Sequence, residues 1–115
     1  MKMENAILVK SKSFSVRIIK LYQYLSKNNE FILSKQLLRS GTSIGANVRE
    51  ATSAYSKKEF AAKMGISLKE AHETAYWLEL LFETEYIIKE QFDSIYADNN
   101  ELIKLLTAIV KTSRS

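Results

Sequence analysis

The stretch Gln36-Leu37-Leu38-Arg39-Ser40-Gly41-Thr42-Ser43-Ile44-Gly45-Ala46-Asn47-Val48-Arg49-Glu50 decides how this chain is read. It holds Gly41 and Gly45, two of only three glycines, inside an otherwise unbroken amphipathic helical pattern. A glycine in a helix interior costs about 1 kcal/mol relative to alanine, so a pair at helical spacing requires compensation. Close approach by the backbone of another helix supplies it. The same stretch sets Gln36, Ser40, Ser43, Asn47 and Glu50 at steps of four, three, four and three, which aligns five polar side chains along one stripe. These seven residues together read as a helix-packing motif. The stripe has two readings: hydrogen bonds that seat this helix against its neighbours, or a surface for a ligand or partner.

Working outward, the pattern extends to a second helix from about Phe31 to Ala54, with a core stripe of Leu33, Leu37, Ile44, Val48, Ala51 and Tyr55, and with glycines that leave a kink or break near Gly41 to Ser43 open as an alternative to a continuous helix. Before it, Ile7, Phe14, Ile18, Leu21, Tyr22 and Leu25 share one face at 100° per residue and predict a first helix from about Ala6 to Ser26. Ser56, followed three residues later by Glu59, is a capping box that opens a third helix from about Lys57 to Thr84. Its core face is Phe60, Met64, Leu68, Ala71, Ala75, Leu78 and Phe82. A second apolar stripe, Ile66, Trp77, Leu80 and Leu81, predicts a subunit interface, because no helix of a four-helix protein is enclosed on all sides. A fourth helix spans about Glu90 to Thr112, weakened in the middle by Asp98, Asn99 and Asn100. Short connections between four helices predict an all-α, antiparallel up-down-up-down four-helix bundle, a single domain over residues 1–115.

Composition agrees. The 115 residues are 46% apolar, contain no proline and carry too little glycine for frequent hairpins. The absence of cysteine rules out disulfides and thiolate chemistry. No signal-like N-terminal run and no stretch of ~20 apolar residues is present, so a cytoplasmic protein with no membrane partner is expected. The net charge of +4 hides a strong asymmetry. Residues 1–69 hold thirteen Lys/Arg against four Glu, a net of +9, whereas residues 70–115 hold four against nine, a net of −5. Such a division suits a basic surface facing nucleic acid, an acidic partner, or attraction between copies of the chain.

Catalytic signals are weak. His72 is the only histidine, and Glu70-Ala71-His72 lacks the Glu-x-x-His spacing of di-iron bundles. Gly41 to Gly45 is no phosphate loop, since the Gly-Lys-Ser/Thr end and a preceding strand are missing. No cofactor or metal is expected, and a site around His72 and Glu73 is the weakest of the functional readings. Candidates for phosphate contact are Lys10, Lys12, Arg17, Lys20 and Lys27 on the first helix, with Lys35, Arg39 and Arg49 on the second.

The run from Gln36 to Phe60, QLLRSGTSIGANVREATSAYSKKEF, resembles the small bacterial four-helix-bundle proteins encoded in intervening sequences of 23S rRNA genes. Ile66-Ser67-Leu68-Lys69-Glu70-Ala71 and Glu73-Thr74-Ala75 are similar to the family's third helix, and the likeness covers nearly the whole chain. Arg49-Glu50-Ala51 stands where that family commonly shows Ala-Glu-Gly. The resemblance implies a four-helix bundle, a homo-oligomer that is pentameric in related members, and no catalytic residues. It also implies kinship with accessory proteins of diversity-generating retroelements, which bind a reverse transcriptase and are basic enough to contact RNA or DNA. The leading expectation is a non-enzymatic oligomer that binds nucleic acid or a ribonucleoprotein. The alternative is a protein-interaction scaffold without nucleic-acid binding.

Overall fold

The computed structural model describes residues 2–114, without the side chain of Glu4. Four helices make up the structure: α1 (Met3–Lys27), α2 (Leu33–Ala51), α3 (Lys57–Glu83) and α4 (Lys89–Arg114). They form a rod of 44 × 21 × 20 Å. Each helix packs on its chain neighbours, α4 closes the ring against α1, and the backbones of diagonal helices stay apart. Cross-bundle bonds tie antiparallel helices at three of the seams, as in Lys10 with Glu101, Lys63 with Glu50, and Asn99 with Ala71. The bundle is all-α and up-down-up-down.

Buried positions repeat at alternating steps of three and four, the seam of a helix bundle. Ile7, Ser11, Phe14, Ile18 and Leu25 line α1, and Ile95, Asn99, Leu102, Leu106 and Ile109 line α4. Small polar groups occupy several of these positions, and most bond across helices. Ser67 Oγ donates to the Ile44 carbonyl (2.8 Å), Thr74 Oγ1 to Ser40 Oγ (2.9 Å), and Asn99 Nδ2 to the Ala71 carbonyl (2.9 Å). Asn99 thus bonds across helices from the middle of α4, which runs unbroken through Asp98–Asn100.

The helix ends follow from local chemistry. α1 and α3 finish in the same way, with Asn29 (φ 64°) and Glu85 (φ 68°) in the left-handed region. The Glu30 and Tyr86 N–H groups then reach back to the Leu25 and Leu81 carbonyls, both at 2.9 Å. Glu30 also caps α2: its buried carboxylate accepts from the N–H groups of Ile32, Leu33 and Ser34 at 2.9–3.1 Å. Ser56 caps α3 by accepting from the Glu59 N–H (3.0 Å), while the Glu59 carboxylate accepts from the Tyr55 N–H (2.9 Å).

α2 runs without a break through Gly41 to Ser43, but several local expectations need correction. It stops at Ala51, three residues short of Ala54, and Tyr55 stands 98% exposed in the following connection rather than in the core. The capping of α3 by Ser56 requires extended backbone there, so the chain leaves the helical path before Tyr55 can turn inward. α4 continues to Arg114, with Ser113 Oγ donating to the Ile109 carbonyl.

Candidate nucleic-acid interface

Gly41 and Gly45 set the spacing between α1 and α2. A Cβ at Gly41 would lie 2.7 and 2.8 Å from the γ carbons of Ile18, closer than atoms approach. At Gly45 it would lie 3.2 Å from the Ser11 carbonyl oxygen and from Ser15 Oγ. The helices therefore touch through small residues on both sides: Gly45 on α2, and Ser11 and Ser15 on α1. Above that contact a groove of about 230 Å³ opens, lined by Ser11, Lys12 and Ser15 from α1 and by Gly45, Ala46 and Arg49 from α2. Lys12 and Arg49 flank it, both exposed, and neither forms an ion pair with a described residue.

The other cations of the basic half sit elsewhere. Lys10 pairs with Glu101 (3.1 Å) across the α1–α4 seam. Arg17 pairs with Asp98 (2.5 Å) and donates to Ser94 Oγ (2.9 Å) on the same seam. Lys20 lies beside Arg17 and Tyr24 in a separate cleft of about 370 Å³. Arg39 turns to α3, where it pairs with Glu70 (3.0 Å) and Glu73. Lys27 and Lys35 are exposed near the α1–α2 turn. Antiparallel packing thus places Lys10 and Arg17 of α1 beside Glu101 and Asp98 of α4, and Arg39 of α2 beside Glu70 and Glu73 of α3, so part of the charge asymmetry is neutralised within one chain.

The polar stripe of α2 divides in the same manner. Ser40 is buried and accepts from Thr74 of α3, and Glu50 accepts from Lys63 of α3 (2.8 Å). Ser43 Oγ donates to the Arg39 carbonyl, and Asn47 Nδ2 to the Ser43 carbonyl, both within α2. Gln36 is exposed. On α3, Glu73 also accepts from the Trp77 indole (2.8 Å). That bond, with the Arg39 guanidinium, holds the Glu73 carboxyl below the usual carboxylate range against the opposing pull of burial, and Glu73 in turn raises Arg39. Tyr96 is raised by its hydrogen bond to Glu79 (2.6 Å).

Of the α3 stripe, Ile66 is 44% exposed, and Trp77 and Leu80 are half-buried. Leu81 is fully enclosed by the chain's own core. His72 is exposed, and among the described residues no group of three or more His, Cys, Asp or Glu is placed to hold a metal ion. Among the described residues no helix is long and apolar enough to cross a membrane. Sequence reasoning missed the Lys12–Arg49 groove as a unit. The spacing of Ser11 and Ser15, four residues apart like the glycines they meet, is the signal that pairs α1 with this face of α2.

Over residues 3–108 the chain matches the model of the family described as 23S rRNA-intervening sequence protein. It is also similar to a crystal structure of a protein with unknown function from the S23 ribosomal protein family of Bacteroides thetaiotaomicron VPI-5482. The two are 54% identical, the match covers 96% of this chain and 99% of the other, and the TM-score is 0.94. No curated protein matches the chain.

Proposed function

The chain belongs to the 23S rRNA-intervening sequence protein family, and we propose that it is a non-enzymatic, homo-oligomeric bundle of the bacterial cytoplasm that binds the phosphate backbone of RNA or DNA. The groove between α1 and α2 is the contact, and the partner is a nucleic acid alone or a ribonucleoprotein such as a reverse transcriptase complex. One observation carries this reading. Lys12 and Arg49 line a single groove and neither is ion-paired to a described residue, whereas Lys10, Arg17 and Arg39 form ion pairs across seams. Small side chains at Ser11, Ser15, Gly45 and Ala46 leave room for a backbone phosphate between the two cations.

Binding of a short RNA or DNA duplex at low salt tests the reading. Wild type should bind, and Lys12→Glu/Arg49→Glu should bind at least ten-fold more weakly while melting at the same temperature. Retained affinity in that variant overturns it. The scaffold reading is favoured by a different feature, the apolar residues Phe31, Ile32, Tyr86 and Ile88, which stand exposed on the two turns at one end of the rod. Assembly is proposed through Ile66, Trp77 and Leu80. Solution mass tests it: a multiple of the chain mass that falls on Ile66→Glu is expected, and a strict monomer at micromolar concentration contradicts it.

A further inference from the structure

The end of the rod opposite Phe31 and Tyr86 carries a feature that the α1–α2 groove does not use. Tyr55 is 98% exposed, the most exposed of the large hydrophobic side chains among the described residues. Burying a ring of this size contributes ~1.5–3 kcal/mol, and this connection forgoes it. The ring is nonetheless presented from stiff backbone. The N–H groups of Thr52, Ser53 and Ala54 return to α2 carbonyls at 3.0–3.2 Å, and the Tyr55 N–H is held by Glu59. Tyr55 borders a cleft of about 540 Å³ between the start of α3 and the end of α4, with Lys57, Phe60 and Thr112 among its walls. A second cleft of about 510 Å³ shares Lys57 and Ser113 with it and adds Lys58 and Arg114. Lys57, Lys58 and Arg114 are exposed, and none is ion-paired to a described residue. At the start of α3, Ser56 Oγ accepts from the Glu59 N–H and the Ser56 carbonyl from the Phe60 N–H.

We infer that this end is a second site, specific for single-stranded nucleic acid, in which one base stacks on Tyr55 and the flanking phosphates lie along Lys57, Lys58 and Arg114. An exposed ring beside exposed cations and a concave track is the combination that holds single strands without sequence readout. A duplex keeps its bases stacked on one another and offers no free face to the ring. The site rests on the nucleic-acid reading proposed above but is separate from the α1–α2 groove.

The test is fluorescence anisotropy with a labelled 12-nucleotide oligo(dT) and a 12-base-pair duplex. Tyr55→Ala should weaken oligo(dT) binding about ten-fold, Tyr55→Phe should restore it, and duplex affinity should stay unchanged. Because Tyr55 packs on nothing, melting temperature should not move, and a shared melting curve certifies the comparison. Tyr55→Ala binding oligo(dT) as wild type does overturns this site alone, as does equal loss on both probes. Loss of duplex binding confined to Lys12→Glu/Arg49→Glu would leave the groove standing in that event. A wild-type protein that binds neither probe overturns both.

Discussion

Helix α2 meets its two neighbours by opposite means. Toward α1 it removes side chains: Gly41 lies against Ile18, and Gly45 against the Ser11 backbone and Ser15. Toward α3 it adds polar contacts, with Ser40 receiving Thr74, the Ile44 carbonyl receiving Ser67, and Arg39 and Glu50 in cross-seam ion pairs. The difference has a functional consequence. A seam built from small residues brings no carboxylate along with it, so cations beside it stay unneutralised, whereas a polar seam consumes its own charges. Lys12 and Arg49 keep their charge available for that reason, and Arg39 does not.

Substitutions probe the contrast in order of effect. Gly41→Ala should destabilise most, by about 1–3 kcal/mol, since the new methyl has to displace the stiff, β-branched Ile18 side chain or push α1 away. Urea denaturation measures it, and an unchanged midpoint would show that the seam is looser than described. Gly45→Ala should cost less, because its contacts at 3.2 Å need a shift of only a few tenths of an ångström. Gly65 supplies the control. A Cβ there meets nothing within 4 Å, so Gly65→Ala should stabilise by about 1 kcal/mol through helix propensity alone. Destabilisation at Gly65 would place another surface over it.

The smallest effect lies on the polar seam. Glu73 has its folded-state carboxyl lowered from the ordinary 4.5. The unfolded chain then binds the proton more readily, so stability is present above that value and is lost as pH falls through the folded one. Glu73 is 33% exposed, which limits the effect to a few tenths of a kcal/mol. Glu73→Gln should flatten the acid limb of a stability–pH profile below pH 4.5 and leave neutral stability nearly unchanged. An identical acid limb would remove Glu73 from the account.

The same contrast explains what could be read in the sequence. The repeat of apolar residues specifies four helices and their inward faces, because burial imposes a period that a linear chain displays directly. The glycine pair signals close approach, but the approaching helix is a matter of three-dimensional arrangement, and only the matching spacing of Ser11 and Ser15 hints at α1. Tyr55 misleads because its spacing continues the α2 stripe past the point where the backbone stops being helical. The capping pair Ser56 and Glu59 is the stronger signal there, since a cap requires the chain to be extended just before it. Charge asymmetry is visible as a sum, yet which cations remain available depends on antiparallel neighbours that place Glu101, Asp98, Glu70 and Glu73 beside some lysines and arginines and not others. Gly65 shares helical spacing with other small residues, but a Cβ there would meet nothing within 4 Å.

The availability of Lys12 and Arg49 is the claim on which the function turns, and the salt dependence of duplex binding tests it most directly. The slope of log affinity against log salt should be compared among wild type, Lys12→Ala/Arg49→Ala and Lys10→Ala/Arg17→Ala. Each phosphate contact contributes about one unit of slope. The groove variant should lose about two units, and the seam variant should keep the wild-type slope because its cations are already paired with Glu101 and Asp98. Equal slopes in wild type and the groove variant, or a loss confined to the seam variant, would contradict the account.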